Sequence, residues 1–138
     1  MTDMNKLSEP AVDLKLLFLW LSIGYVLIAT VIYLSVTSEP VDLDVGLPYE
    51  DKFFHALAYF SLMAWFGQIY HGKYQRYILA VAFILMGVGL EYVQSYNHSR
   101  YSEIADMVAN TVGVVLGFLL TLTQMKNCLI HIERKMFR

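Results

Sequence analysis

Residues 16–36, LLFLWLSIGYVLIATVIYLSV, run for 21 positions without a charge, and nothing else in the chain limits its fold so tightly. At the helical rise of about 1.5 Å per residue, some 20 apolar residues reach roughly 30 Å, the thickness of a bilayer's hydrocarbon core. A helix in a soluble core has no use for that length. Three more apolar stretches follow, at about 53–70, 77–95 and 104–125, each long enough to span and none containing proline. Pro10, Pro40 and Pro48 all fall outside these stretches, where a missing backbone N–H is tolerated. The expected fold is therefore all-α: a bundle of four transmembrane helices over residues 16–125. A short segment, 1–15, precedes the bundle, and a basic tail, 126–138, follows it.

A cleavable leader is the competing reading of the first run. Its apolar length exceeds the usual 7–15 residues of such segments. Val36-Thr37-Ser38 is also a mediocre cleavage site, so a retained helix is expected. The single cysteine, Cys128, excludes an intrachain disulfide.

Four spans put both termini on one side, and the basic residues say which. Lys6, Lys15, Lys73, Arg76, Lys126, Arg134, Lys135 and Arg138 would share one face, eight of the ten Lys and Arg in the chain. Lys52 and Arg100 would lie on the other. The positive-inside bias makes both termini cytoplasmic, in a multi-pass membrane protein. The tail interleaves its bases with Leu129, Ile130, Ile132, Met136 and Phe137, which suits an anchor on anionic lipid far better than a nucleic-acid site.

The linkers are too short for a second domain, and no phosphate-cradling glycine loop, CxxC pair or HExxH helix is present. Any chemistry must come from polar groups held within the bundle. Those groups follow a pattern. Asp51, His55 and Tyr59 recur every four residues on one face of the second span, with Lys52 beside them. Glu91, Gln94 and Ser95 share a face of the third. Ser102, Asp106, Asn110, Gly113 and Gly117 form one stripe on the fourth. All three clusters occupy the ends that the topology makes external. Ionisable residues inside spans are costly and normally face the bundle interior, so the three sets should point at one another.

Each piece also has a plainer reading. His55 and Tyr59 suit an interfacial belt, Gln94, Ser95 and Asn110 suit interhelical hydrogen bonding, and Gly113-x-x-x-Gly117 suits close helix packing. Asp106 could form a static pair with Arg100. Glu91 is harder to dismiss, because it lies more than a turn inside its span, where a carboxylate needs a dedicated partner.

The ordered set Asp51-Lys52-x-x-His55-x-x-x-Tyr59, Glu91-x-x-Gln94, Arg100 and Asp106-x-x-x-Asn110-x-x-Gly113-x-x-x-Gly117 resembles the VanZ-like membrane proteins, over roughly residues 15–125. The resemblance implies a four-helix bacterial membrane protein, with founding members linked to low-level resistance to teicoplanin-type glycopeptides. It implies a polar site of Lys52, His55, Tyr59, Glu91, Gln94, Arg100, Asp106 and Asn110, and no established reaction. One departure is the stretch SYNHS before Arg100, which lacks the Pro-Gly turn expected there.

Arg100 and Lys52 would flank the helix ends where a lipid phosphate lies, the first as a planar fork and the second as a point charge. Glu91, Asp106 and His55 would then be the general acids and bases, with Tyr59, Gln94 and Asn110 positioning the substrate. The expected function is action on a lipid-linked or phosphate-bearing headgroup at the outer face. The alternatives are a non-catalytic binder of a wall precursor or amphiphilic glycopeptide, and a small transporter that four spans could form only by oligomerisation. No cofactor is expected. A metal held by His55, Glu91 and Asp106 is chemically reasonable but disfavoured, since Lys52 and Arg100 would repel a cation.

Overall fold

The computed structural model describes residues 14–37, 46, 48–96 and 103–138. Among them every regular element is a helix: α1 (Leu17–Val36), α2 (Glu50–Ile69), α3 (Lys73–Ser95), α4 (Ile104–Thr121), a 3₁₀ turn (Gln124–Asn127) and α5 (Cys128–Met136). Three of these, α1, α3 and α4, are long and apolar enough to cross a membrane. The expected fourth span, α2, has the length at 20 residues but opens with Glu50, Asp51 and Lys52 and carries His55 and Gln68.

The burial pattern explains that difference. Only Trp20 and Gly24 are buried on α1, and most of its apolar side chains face outward. On α2, Tyr59, Leu62, Met63, Phe66, Gly67 and Ile69 are buried against protein. The more polar helix is thus the central one, covered by its neighbours, and the apolar helices lie around it. Tyr59, Leu62, Met63 and Phe66 of α2 pack with Phe83 of α3 and Val114 of α4 as one core cluster.

The closest packing is between α2 and α4. The buried face of α4 includes Asp106, Asn110, Gly113, Gly117 and Thr121, which recur at helical spacing. A Cβ on Gly113 would run into the carbonyl of Ala56, and one on Gly117 would sit 2.8 Å from both Met63 Cβ and Phe60 O. Gly67 on α2 is in turn filled by the Thr121 side chain. Small residues on both sides allow the backbones to approach, as membrane helix pairs commonly do.

The expected loop bases belong to helix α3. Only Tyr70–Gly72 separates α2 from α3, Gln75 Oε1 accepts the Gly72 N–H at 2.9 Å, and the helix begins at Lys73. Arg76 is buried, with Nε donating to Tyr70 O at 3.2 Å. His71 Nε2 donates to the carbonyls of Gln68 (2.8 Å) and Lys126 (3.2 Å), and Gln68 Oε1 accepts the Leu129 N–H at 3.2 Å.

These contacts hold the tail against the bundle, so it is more than a trailing basic segment. Leu129 and Glu133 are its buried residues. The Glu133 carboxylate accepts from Lys15 N–H (2.6 Å), Leu16 N–H (2.8 Å) and Trp20 Nε1–H (2.7 Å). It therefore supplies the acceptors that the first turn of α1 lacks internally and places negative charge at a helix N-terminus. Desolvation opposes ionisation of this carboxyl, but hydrogen bonds from Leu16, Trp20 and Lys15 outweigh it and hold the group below its ordinary value.

A depressed carboxyl binds its proton less readily in the folded state than in the unfolded one. Its contribution is complete above the ordinary value of 4.5 and is lost as pH falls through the lower folded value. The expected result is an acid transition in Trp20 fluorescence in the wild-type protein. Glu133→Gln should already show the released signal at pH 7, with no comparable transition below pH 4.5.

Candidate functional site

The site builds on the α2–α4 seam. With the two backbones close, the N-terminal turns of α2 and α4 lie side by side, and the last turns of α3 close the third side. Lys52 projects from α2 across the seam. Its Nζ lies 2.7 Å from Asp51 Oδ2, 2.6 Å from Glu103 Oε2 and 2.6 Å from Asp106 Oδ1. Its hydrogen bonds go to Asp51 and Glu103, and Asp106 is held as an ion pair. Lys52 thus acts first as the neutraliser of this end of the bundle.

One turn further in, His55 Nδ1 is 3.0 Å from Asn110 Oδ1. An amide oxygen can only accept, so Nδ1 carries the proton, and the lone pair of the neutral ring lies on Nε2. Glu91 and Asp106 are buried, at 1% and 7% exposure. One ligand-capable atom from each of His55, Glu91 and Asp106 lies within 4.8 Å of the other two. Three helices thus bring an imidazole and two carboxylates together below the surface.

Another turn down, the Tyr59 ring packs beside Asn110 over Gly87, where an added Cβ would sit 3.3 Å from Tyr59 Cε1 and 3.2 Å from Asn110 Cβ. Tyr59 is buried, and its hydroxyl has no hydrogen-bond partner among the described residues. Gly87 is one turn from Glu91 on α3, so the Tyr59 ring packs against the helix face that carries that carboxylate.

A family model described as VanZ/LLP1 matches residues 22–125, most of the chain. The chain belongs to the VanZ/LLP1 family. No curated protein and no solved structure matches it. Family membership together with three apolar membrane-length helices makes it a membrane protein.

Of the site residues expected from sequence, this VanZ/LLP1 chain gathers Lys52, His55, Tyr59, Glu91, Asp106 and Asn110 at one end of α2, α3 and α4. Gln94 points elsewhere: its Nε2 donates to Ser35 O at 2.9 Å and ties α3 to the end of α1. Ser95 satisfies itself on Tyr92 O at 2.6 Å. Arg100 and Ser102 lie outside the described residues. Sequence reasoning passed over Glu103, which is an ion-pair partner of Lys52. Its spacing of three from Asp106 put it on the same helix face and was the available signal.

Proposed function

We propose that this VanZ/LLP1 protein acts on the headgroup of a lipid-linked, phosphate-bearing component of the bacterial envelope. One observation carries the reading: three membrane helices converge a tautomer-fixed His55 on buried Glu91 and Asp106 at one end of the bundle. Carboxylates are expensive to bury and are normally placed to pair or to work. Two of them beside an oriented imidazole form an acid–base set, and Tyr59 and Asn110 line its inner side.

In this reading α2 is the fourth span, its polar residues shielded by protein, and both termini are cytoplasmic. The positive-inside rule supports that orientation, and the site then opens on the outer leaflet of the cytoplasmic membrane. Reporters fused after Arg138 should read cytoplasmic, and one inserted in residues 40–45 should read external. An external reading at Arg138 would put the cluster on the wrong side for a wall precursor.

The reading itself is tested by untargeted lipid analysis of cells with and without the protein. A headgroup change restored by the wild-type gene is the expected result. An unchanged lipid profile, with purified protein still binding a glycopeptide or wall precursor, would favour a non-catalytic binder instead.

A further inference from the structure

The charge balance at this end of the bundle does not favour a phosphate as it stands. Asp51, Glu103 and Asp106 share the single ammonium of Lys52, and Glu91 adds a fourth carboxylate close by. Among the described residues no other Lys or Arg lies at this end. An anionic headgroup brought here would meet these carboxylates, two of them buried, where Coulomb interactions are only weakly screened.

We propose that His55, Glu91 and Asp106 bind one divalent transition-metal ion, of the Mn²⁺ or Zn²⁺ type. The inference rests on the headgroup reading of the same site and supplies the positive charge that reading needs. Imidazole and carboxylates are the ordinary ligands of such ions. Ligand atoms bound at about 2.1 Å to a common ion sit no more than about 4.2 Å apart. The present separations, all within 4.8 Å, close with side-chain adjustments of about half an ångström.

Two further observations point to a ligand. Asn110 holds His55 through Nδ1–H, which leaves Nε2 as the nitrogen with a lone pair to offer; metal-ligating histidines are regularly oriented in this way by a second residue. The Tyr59 hydroxyl is buried and without a hydrogen-bond partner among the described residues, on a ring packed over Gly87, one turn from Glu91. It is placed to donate to a bound anion or to water next to the ion. The objection from Lys52 changes sign in this geometry. It is already held among three carboxylates, so it tempers the negative charge and competes with the ion for Asp106.

The test uses the full chain in detergent, stripped with EDTA and titrated with Mn²⁺ under electron paramagnetic resonance, with metal content checked by mass spectrometry. About one Mn²⁺ per chain is expected, with the pulsed spectrum showing coupling to one imidazole nitrogen. His55→Ala should abolish that coupling, and Glu91→Gln should weaken binding by at least tenfold. Lys52→Gln, which releases Asp106, should tighten it severalfold. Wild-type protein that retains no more Mn²⁺ or Zn²⁺ than His55→Ala, or that shows no nitrogen coupling, overturns the proposal. The spectral signature is read on the wild-type chain, so the result stands even where a variant fails to fold. A short-chain phosphatidic acid offered to stripped and Mn²⁺-loaded protein separates the two readings. Lipid bound by stripped protein that takes up no metal removes the ion and keeps the headgroup reading. Metal bound with no lipid captured in either state does the reverse.

Discussion

Gly113→Leu should separate α2 from α4 and lower the thermal stability of the detergent-solubilised protein more than any other single change in the seam. The atom that an added Cβ would strike is the carbonyl oxygen of Ala56, part of a rigid helical backbone that cannot rotate away. Overpacking a membrane-helix contact costs about 1–3 kcal/mol, and a backbone clash belongs at or above the top of that range. Gly117→Leu should cost about 1–3 kcal/mol, because the added Cβ would stand 2.8 Å from Met63 Cβ and Phe60 O rather than overlapping the backbone outright as at Gly113. Gly89→Leu is the control: it has open space around it and should be neutral or slightly stabilising. Melting curves of the three variants check the order. If Gly113→Leu melts with the parent, the two helices do not touch there. The consequence reaches the site as well, since a helix displaced by an ångström breaks the 3.0 Å His55–Asn110 hydrogen bond and the Lys52–Asp106 pair.

Much of this seam was legible in the sequence, because its signal is periodic. Asp106, Asn110, Gly113 and Gly117 fall on one helical stripe whatever the partner, and that face is buried. The long apolar runs that became α1, α3 and α4 were equally plain, since a lipid-facing surface demands apolar residues. Helix α2 was harder for the same physical reason. Its surroundings are protein, which can pair Lys52 and orient His55, so it tolerates a polarity that a lipid-facing helix cannot.

What the sequence concealed was chiefly the backbone partners. Gln94 finds the Ser35 carbonyl and Glu133 finds the N–H groups of Lys15 and Leu16. Every residue carries those groups, so no pattern of side chains announces which one will be met. The tail read as an amphipathic basic segment. Only the fold shows that it lies over the start of α1. Lys52 is a related case. Its type and position suggested a free cation for a phosphate, but whether an ammonium is free depends on how many carboxylates the packing brings to it.

Glu91→Gln should leave folded protein in the membrane and reduce its envelope function by roughly 10²–10⁴-fold, the usual contribution of a positioned acid or base. The amide has the same shape, so packing on α3 near Gly87 is undisturbed. What disappears is the ability to carry a proton or a negative charge at a buried position that is 1% exposed. Asp106→Asn should act differently, because it also removes a partner of Lys52 and so should lower stability along with function. The pair of variants separates chemistry from scaffold. Loss of function with an unchanged melting curve in Glu91→Gln marks a working carboxylate, whereas parallel losses in both properties mark a structural one. Full function in Glu91→Gln at normal protein levels would sink the acid–base reading. The cluster would then be a device for holding α2, α3 and α4 together, in which Lys52 is shared among Asp51, Glu103 and Asp106 and His55 is bound to Asn110.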